Sequence, residues 1–305
     1  MTDVPLSAPG APGAPGAPGA PGATAAKARR RLNPTLARYL SAFRTPRGVV
    51  GLSILGVLVL AALLAPVLFP GGYDQQGPNA LTGPSAQHIF GVDEFGRDIF
   101  IRSVYGLRVD LSLILTAVPL SMALGTLIGL SGAISEWLGA GLQRVLDVII
   151  GFPGLILGVC LVAILGPGWL PLFLTILLGG LPTAGRQARS AWLTQQGREY
   201  VLAARVLGVP RRQLLVRHVL PNAMDAIVVN GAVWMVIGVY IEAGLSIVGL
   251  GVQPPTPSIG VLLNNGLRFV TQAPTYIIGP GVVLLLLSVG FSLISDALNE
   301  AVNRR

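Results

Sequence analysis

Residues 48–69 read GVVGLSILGVLVLAALLAPVLF, with Ser53 the one polar side chain and no charge. As a helix rising 1.5 Å per residue, this run reaches about 33 Å, enough to cross the hydrocarbon of a bilayer. It is too long and too far from the N-terminus for a cleavable signal peptide, and reads as a retained span. Five more runs of this character follow, at about 109–134, 142–165, 171–191, 223–250 and 277–298. The fold class is therefore an all-α integral membrane protein with six transmembrane helices. Of 305 residues, 52% are hydrophobic and 11% charged, so lipid is the solvent for most of the chain.

The net charge of +8 would suit a nucleic-acid partner if it were gathered on one face. Its distribution says otherwise. Seven of the 21 basic residues, Lys27, Arg29, Arg30, Arg31, Arg38, Arg44 and Arg47, precede the first span. Seven more, Arg186, Arg189, Arg198, Arg205, Arg211, Arg212 and Arg217, fall in one internal polar segment. Alternate segments rich in arginine follow the positive-inside rule, which places both termini and residues 186–222 in the cytoplasm. The opposite segments carry few basic residues: Arg97 and Arg102 after span one, and Arg268 after span five. Topology explains the charge, and no nucleic acid is expected.

Residues 8–22 are five copies of Ala-Pro-Gly, far short of a collagen repeat, and residues 1–31 are expected to be a disordered tail. Asn33 can cap a helix starting at Pro34, on which Leu36, Tyr39, Leu40 and Phe43 share one face. Such a segment either lies on the cytoplasmic membrane surface or forms the first turn of span one. Pro46 is expected to separate the two. The spans are rich in glycine and contain Pro119, Pro153, Pro182 and Pro280. Small residues let helices approach closely in lipid, and prolines kink them. Cys160 is the single cysteine, so neither an internal disulfide nor a cysteine metal cluster can form.

Residues 198–222, REYVLAARVLGVPRRQLLVRHVLPN, predict a helix, a break and a second helix. The first ends near Leu207, with Gly208 as its left-handed C-terminal residue. Pro210 suits the first position of the second helix, where a missing N–H is harmless, and Pro221 is expected to stop it. Ala203 and Ala204 form a smooth patch for another surface, and Arg205, Arg211, Arg212 and Arg217 offer charge to acidic partners. A solvated helical hairpin is the plainer alternative.

The string Ala203-Ala204, Gly208, Leu220-Pro221-Asn222 resembles the EAA loop of binding-protein-dependent ABC importer permeases. Residues 88–98, HIFGVDEFGRD, and 242–258, EAGLSIVGLGVQPPTPS, resemble two further stretches of the C-type permeases of dipeptide, oligopeptide and nickel importers. The resemblance covers about residues 45–305. It implies a type I importer transmembrane domain at 106–305, preceded by an interfacial helix, first span and exterior loop at 32–105. It also implies a coupling helix at 199–208 that docks on a separate ATPase through Glu199, Tyr200, Ala203, Ala204, Arg205, Gly208, Leu220 and Pro221. The implied partners are a homologous second permease, two ATP-binding subunits holding ATP and magnesium, an extracytoplasmic substrate-binding protein and the lipid of a bacterial inner membrane. A helix around Phe95–Tyr105 and the loop Gly251–Ala273 would face the binding protein. Two positions depart from the family: Leu202 stands where the motif has glutamate, and Val92 where it has threonine.

Chemistry within the chain is scarce. A P-loop needs a lysine after a glycine-rich turn, and Lys27 is the only lysine, so ATP hydrolysis is expected elsewhere and this subunit is not an enzyme. His88 and His218 lie in loops on opposite sides of the membrane, leaving Ser246 and Ser288 without a base and any metal site without ligands. Asp110, Asp147, Asp225 and Asp296 fall near span ends, within reach of water. Glu242 is the one internal acid. It is either an ion-coupling site of a secondary transporter or channel, or a structural residue paired with Arg102, Arg108 or a partner subunit. Pro182, with Glu242, is a candidate pathway or structural residue. Peptides are the substrate class the resemblance implies, and no pore residue singles out which.

Overall fold

The computed structural model describes residues 34–303, so the Ala-Pro-Gly tail and Asn33 lie outside the described residues. The described chain is almost entirely helical: α1 Pro34–Ala42, α2 Pro46–Leu68, α3 Ile99–Leu130, α4 Glu136–Ile150, α5 Gly154–Leu165, α6 Trp169–Gln196, α7 Glu199–Val206, α8 Arg211–Leu214, α9 Leu220–Ile247, α10 Ile259–Leu267 and α11 Thr275–Asn303.

Four helices, α2, α3, α9 and α11, are long and apolar enough to cross a membrane. The chain is thus a multi-pass helical protein, but the expected six spans need correction in detail. The third expected span is two helices, α4 and α5, bent by 93° and long enough to cross only when taken together. Pro153 causes the break: it is extended, with ψ 135°, and a proline restricts the residue before it to non-helical conformations. The fourth, α6, is apolar up to Leu181, but its second half carries Arg186, Gln187 and Arg189 and fails the same test.

Two further boundaries moved. The expected exterior helix at 95–105 and span two are one 32-residue helix, α3, so a division at 105 cuts through a single element. Asp98 starts it by accepting the Ile101 N–H at 2.9 Å. Pro221 does not stop a helix. The chain is helical without interruption from Arg211 to Ile247, through a π-turn at Leu215–Val219. In that turn the Leu220 N–H bonds five residues back, to Leu215 O, so the wider winding absorbs the proline that follows. Pro46 does separate α1 from α2, where the Thr45 side chain accepts the Gly48 N–H.

The core is a packed bundle of α3, α6, α9 and α11, with α3 against α6 the most extensive pair. Small residues permit it. A Cβ on Gly125 would lie 2.6 Å from Leu181 O, and one on Gly129 would collide with Gly185 O, so the helices touch backbone to backbone. Ser121 donates to Leu177 O at 2.7 Å and Trp234 Nε1 to Ile176 O at 3.0 Å, just upstream of the buried Pro182. Pro182 is therefore a packed position whose neighbouring turn is tied to α3 and α9. α1 packs Tyr39, Ala42 and Phe43 against Ala232, Ala297 and Leu298 of α9 and α11.

The bundle has two ends. One carries α1, α7 and the start of α9; the other carries residues 69–98, α10 and the start of α11.

Candidate functional site

At the first end, α7 seats on the bundle through Val201, which is fully buried, and half-buried Ala204. Its remaining faces are open. Leu202 is 48% exposed, Val206 88% and Leu207 83%. Leu202 and Val206 are four residues apart and so neighbours on the helix surface. The position that departs from the family motif is thus part of an exposed apolar ridge. Sequence reading missed Val206 and Leu207, although the Leu202/Val206 spacing was available as a signal.

The expected coupling residues fall on or beside this helix. Glu199 is exposed in its first turn, where an acid suits the positive end of the helix. Tyr200 donates to Gln195 Oε1 at 2.6 Å, and Ala203 is exposed. Gly208 has φ +76°, the left-handed conformation that closes α7, and the Val209 N–H reaches back to Ala204 O at 3.0 Å. The side chains of Arg205, Arg211 and Arg212 lie outside the described residues. Leu220 packs into the main core and Pro221 is exposed in the first turn of α9, so both serve α9 rather than the α7 ridge.

Arg38 and Tyr39 of α1 clamp Asp225 of α9 at 2.8 and 2.6 Å. Burial and the hydrogen bond to Asp225 push the Tyr39 phenol well above its usual range, so it remains a donor. Asp225, expected near water, is buried.

At the other end, residues 88–98 form a tight knot. Fully buried Asp93 accepts the Phe95 and Arg97 N–H groups, both at 2.9 Å, through Oδ1 and Arg97 Nε at 2.7 Å through Oδ2. Arg97 also reaches Asp74 at 3.0 Å, and Arg102 Nε lies 3.6 Å from Asp93. Burial disfavours the Arg97 charge, but Asp93 and Asp74 outweigh it and hold its pKa above the ordinary value. Gly91 and Gly96 have φ +82° and +71°, and a Cβ on Gly91 would meet Thr82 O at 2.5 Å. Val92 is buried, so the family's threonine position is filled by a side chain of the same shape. The knot borders a cavity of about 640 Å³ between Asp74, Glu94, Arg102, Asn264 and Arg268.

Glu242 pairs with neither Arg102 nor Arg108. It is 1% exposed, and its Oε1 accepts the Ser246 hydroxyl at 2.7 Å. Asp110, expected near water, is 2% exposed, because α3 starts about ten residues earlier than its apolar run suggested. Its Oδ2 accepts the Ile259 N–H of α10 at 3.1 Å. Ser288 bonds back to Leu284 O within α11. Among the described residues no group of three or more histidine, cysteine, aspartate or glutamate side chains is placed to hold a metal ion.

The molecule is thus a helical membrane bundle with a seated, apolar-faced helix at one end and a polar knot at the other. The description "Binding-protein-dependent transport system inner membrane component" matches residues 123–305, and "N-terminal TM domain of oligopeptide transport permease C" matches residues 42–84. The chain is 35% identical over 257 residues to the dipeptide transport system permease protein DppC of Alkalihalophilus pseudofirmus, covering 84% of each. It is 32% identical to the di/tripeptide transport system permease protein DppC of Pseudomonas aeruginosa, over 88% of this chain and 91% of the relative. The glutathione transport system permease protein GsiD of Pectobacterium atrosepticum is 33% identical over 83% of this chain and 85% of its own length. The fold is similar to a chain in the inward-facing MetNI methionine ABC transporter, with TM-score 0.54 and 18% identity over 66% of this chain and 96% of that one. The chain belongs to the family of binding-protein-dependent transport system inner membrane components and is a multi-pass membrane permease.

Proposed function

We propose that this permease is one half of the translocation pathway of an ATP-driven importer of short peptides, with α7 as the lever that an ATPase subunit moves. The observation that carries the reading is the exposure of Val206 and Leu207 at 88% and 83% on a helix whose opposite side, Val201, is fully buried. An exposed apolar ridge at the polar end of a membrane bundle needs a protein surface to cover it. The names of the relatives supply the solute class, peptides. Six spans, with α6 and the α4–α5 pair each counted as one, put both termini and α7 in the cytoplasm and agree with the arginines. A second permease, two ATPase subunits with ATP and magnesium, and an external binding protein complete the assembly. Closure of the ATPases would displace α7 and rock the bundle as a body.

Ion coupling through Glu242 is set aside because Asp110 and Glu242 face the start of α10, whose partial positive charge takes the place a cation would need.

Co-purification with the ATPase subunits tests the reading. Wild type retains them, and the triple change Leu202→Ser/Val206→Ser/Leu207→Ser releases them while the permease stays folded in detergent. Retention by the triple variant, or no association by wild type, overturns the assignment of α7.

A further inference from the structure

Asp110 and Glu242 come from different long helices and meet at one place, the start of α10. Neither takes part in an ion pair among the described residues. Their surroundings are instead the first residues of that helix and the Ser246 hydroxyl of α9. Asp110 Oδ2 accepts the Ile259 N–H at 3.1 Å, and Glu242 Oε2 lies against Gly260, 3.2 Å from where a Cβ on that residue would stand. Ser258 accepts the Val261 N–H at 3.2 Å, and Ser246 donates to Glu242 at 2.7 Å. Free N–H groups and the partial positive charge at the start of a helix suit negatively charged or oxygen-rich partners.

The backbone is wedged at the same point. A Cβ on Gly106 of α3 would lie 3.0 Å from the Ser258 carbonyl carbon. One on Gly260 would lie 2.5 Å from Ser246 Cβ and 3.0 Å from Ala243 Cα, both on α9. No side-chain cushion separates α10 from either neighbour. α9 itself continues without interruption from Arg211, a rod of roughly 55 Å from the α7 end to Glu242 and beyond.

We infer that Asp110 and Glu242 are positioning residues that fasten the N-terminus of α10 to α3 and α9, so that a movement of α9 begun at the α7 end is delivered to the far end of the bundle. The delivery half of this inference rests on the function proposed above; the fastening half does not. A tight backbone wedge without the Asp110 acceptor would leave the Ile259 N–H unpaired in a dry site, and α10 would separate to find water. The Asp110 hydrogen bond ties it to α3, and the Glu242 carboxylate packed against Gly260 seats it on α9.

Two measurements on the purified chain and on the complex with its ATPase and binding-protein partners test the two halves. Hydrogen exchange of the α10 amides 259–263 in Asp110→Leu and Glu242→Leu rises about tenfold over wild type, the factor expected for a lost buried hydrogen bond. Asp110→Asn and Glu242→Gln keep an oxygen acceptor and exchange like wild type. In the complex, the leucine variants lose uptake and solute-stimulated ATP hydrolysis by about tenfold, within the usual range of coupling energies, while basal hydrolysis and assembly persist. Asn and Gln restore both activities. Gly106→Ala, which removes no polar group but crowds α10 away from α3, reproduces the uncoupling. Unchanged exchange in the leucine variants overturns the fastening. Asn and Gln variants as defective as the leucine ones show that charge rather than capping matters, and overturn it too. Faster exchange with normal coupling, in the leucine variants and in Gly106→Ala, overturns the delivery. If wild type binds no ATPase, the importer reading and the delivery fall together, and the exchange experiment still decides the fastening.

Discussion

The two ends of this bundle are made of opposite materials. Around Asp93, charges are paired within the chain: two arginines and two backbone N–H groups converge on one carboxylate, and Asp74 pairs with the same arginines. Around α7, large apolar side chains stand in the open. The first arrangement is closed in on itself, because each buried charge has its partner within the chain. The second is left open to another molecule. The difference separates an end whose charges are satisfied within the chain from an end whose large apolar side chains are left uncovered.

The largest expected effect follows from the closed end. Asp93→Ala removes the carboxylate that holds Arg97 and Arg102, whose side chains are 7% and 2% exposed. Removing one member of a buried ion pair costs about 3–5 kcal/mol, because an uncompensated charge stays behind. Thermal unfolding in detergent should show a loss of that size; a shift under about 1 kcal/mol would mean water already reaches the knot, breaking the contrast between the ends.

Gly96→Ala comes next. Its φ of +71° is strained for any residue with a Cβ, and that Cβ would collide with Gly77 O. About 1–3 kcal/mol of destabilisation is expected, read by the same unfolding measurement. Tyr39→Phe is smaller and sharpens the comparison, because it probes a polar anchor at the open end. It removes the 2.6 Å bond to Asp225 and leaves Arg38 in place, so about 1 kcal/mol is expected.

How much of this was legible beforehand depends on the range of the contact. The limits of α2, expected at 48–69 and observed at 46–68, follow from an unbroken apolar run. Gly208 as the left-handed end of α7 follows from local backbone chemistry, while Pro210, expected as the first residue of the second helix, stands one residue before α8. The knot at 88–98 was visible as a motif, but its logic was not, since Asp74 meets Arg97 across 23 residues of sequence. Asp110 was misplaced for the same reason. Its partner, Ile259, is 149 residues away, and no local pattern announces that a short helix will end against it. Pro153 and Pro221 illustrate the limit of residue-type rules. One proline breaks a span by 93° and the other is absorbed by a π-turn, because the neighbouring carbonyls, not the proline, decide whether the ladder can be rewound.

The smallest expected effect is the one that isolates the open end. Val206 is 88% exposed, so Val206→Ser withdraws almost no apolar area from the folded interior. Its unfolding free energy should stay within about 0.5 kcal/mol of wild type, as for surface positions that touch nothing. The same substitution at a buried position such as Val201, which is fully buried on the same helix, removes packed methyl groups and brings a hydroxyl into the core. The pair therefore splits one eight-residue helix into a side that belongs to this chain and a side that does not. If Val206→Ser destabilised the isolated chain as much as Val201→Ser, α7 would be part of the closed body after all, and the ridge could not be a surface waiting for a partner.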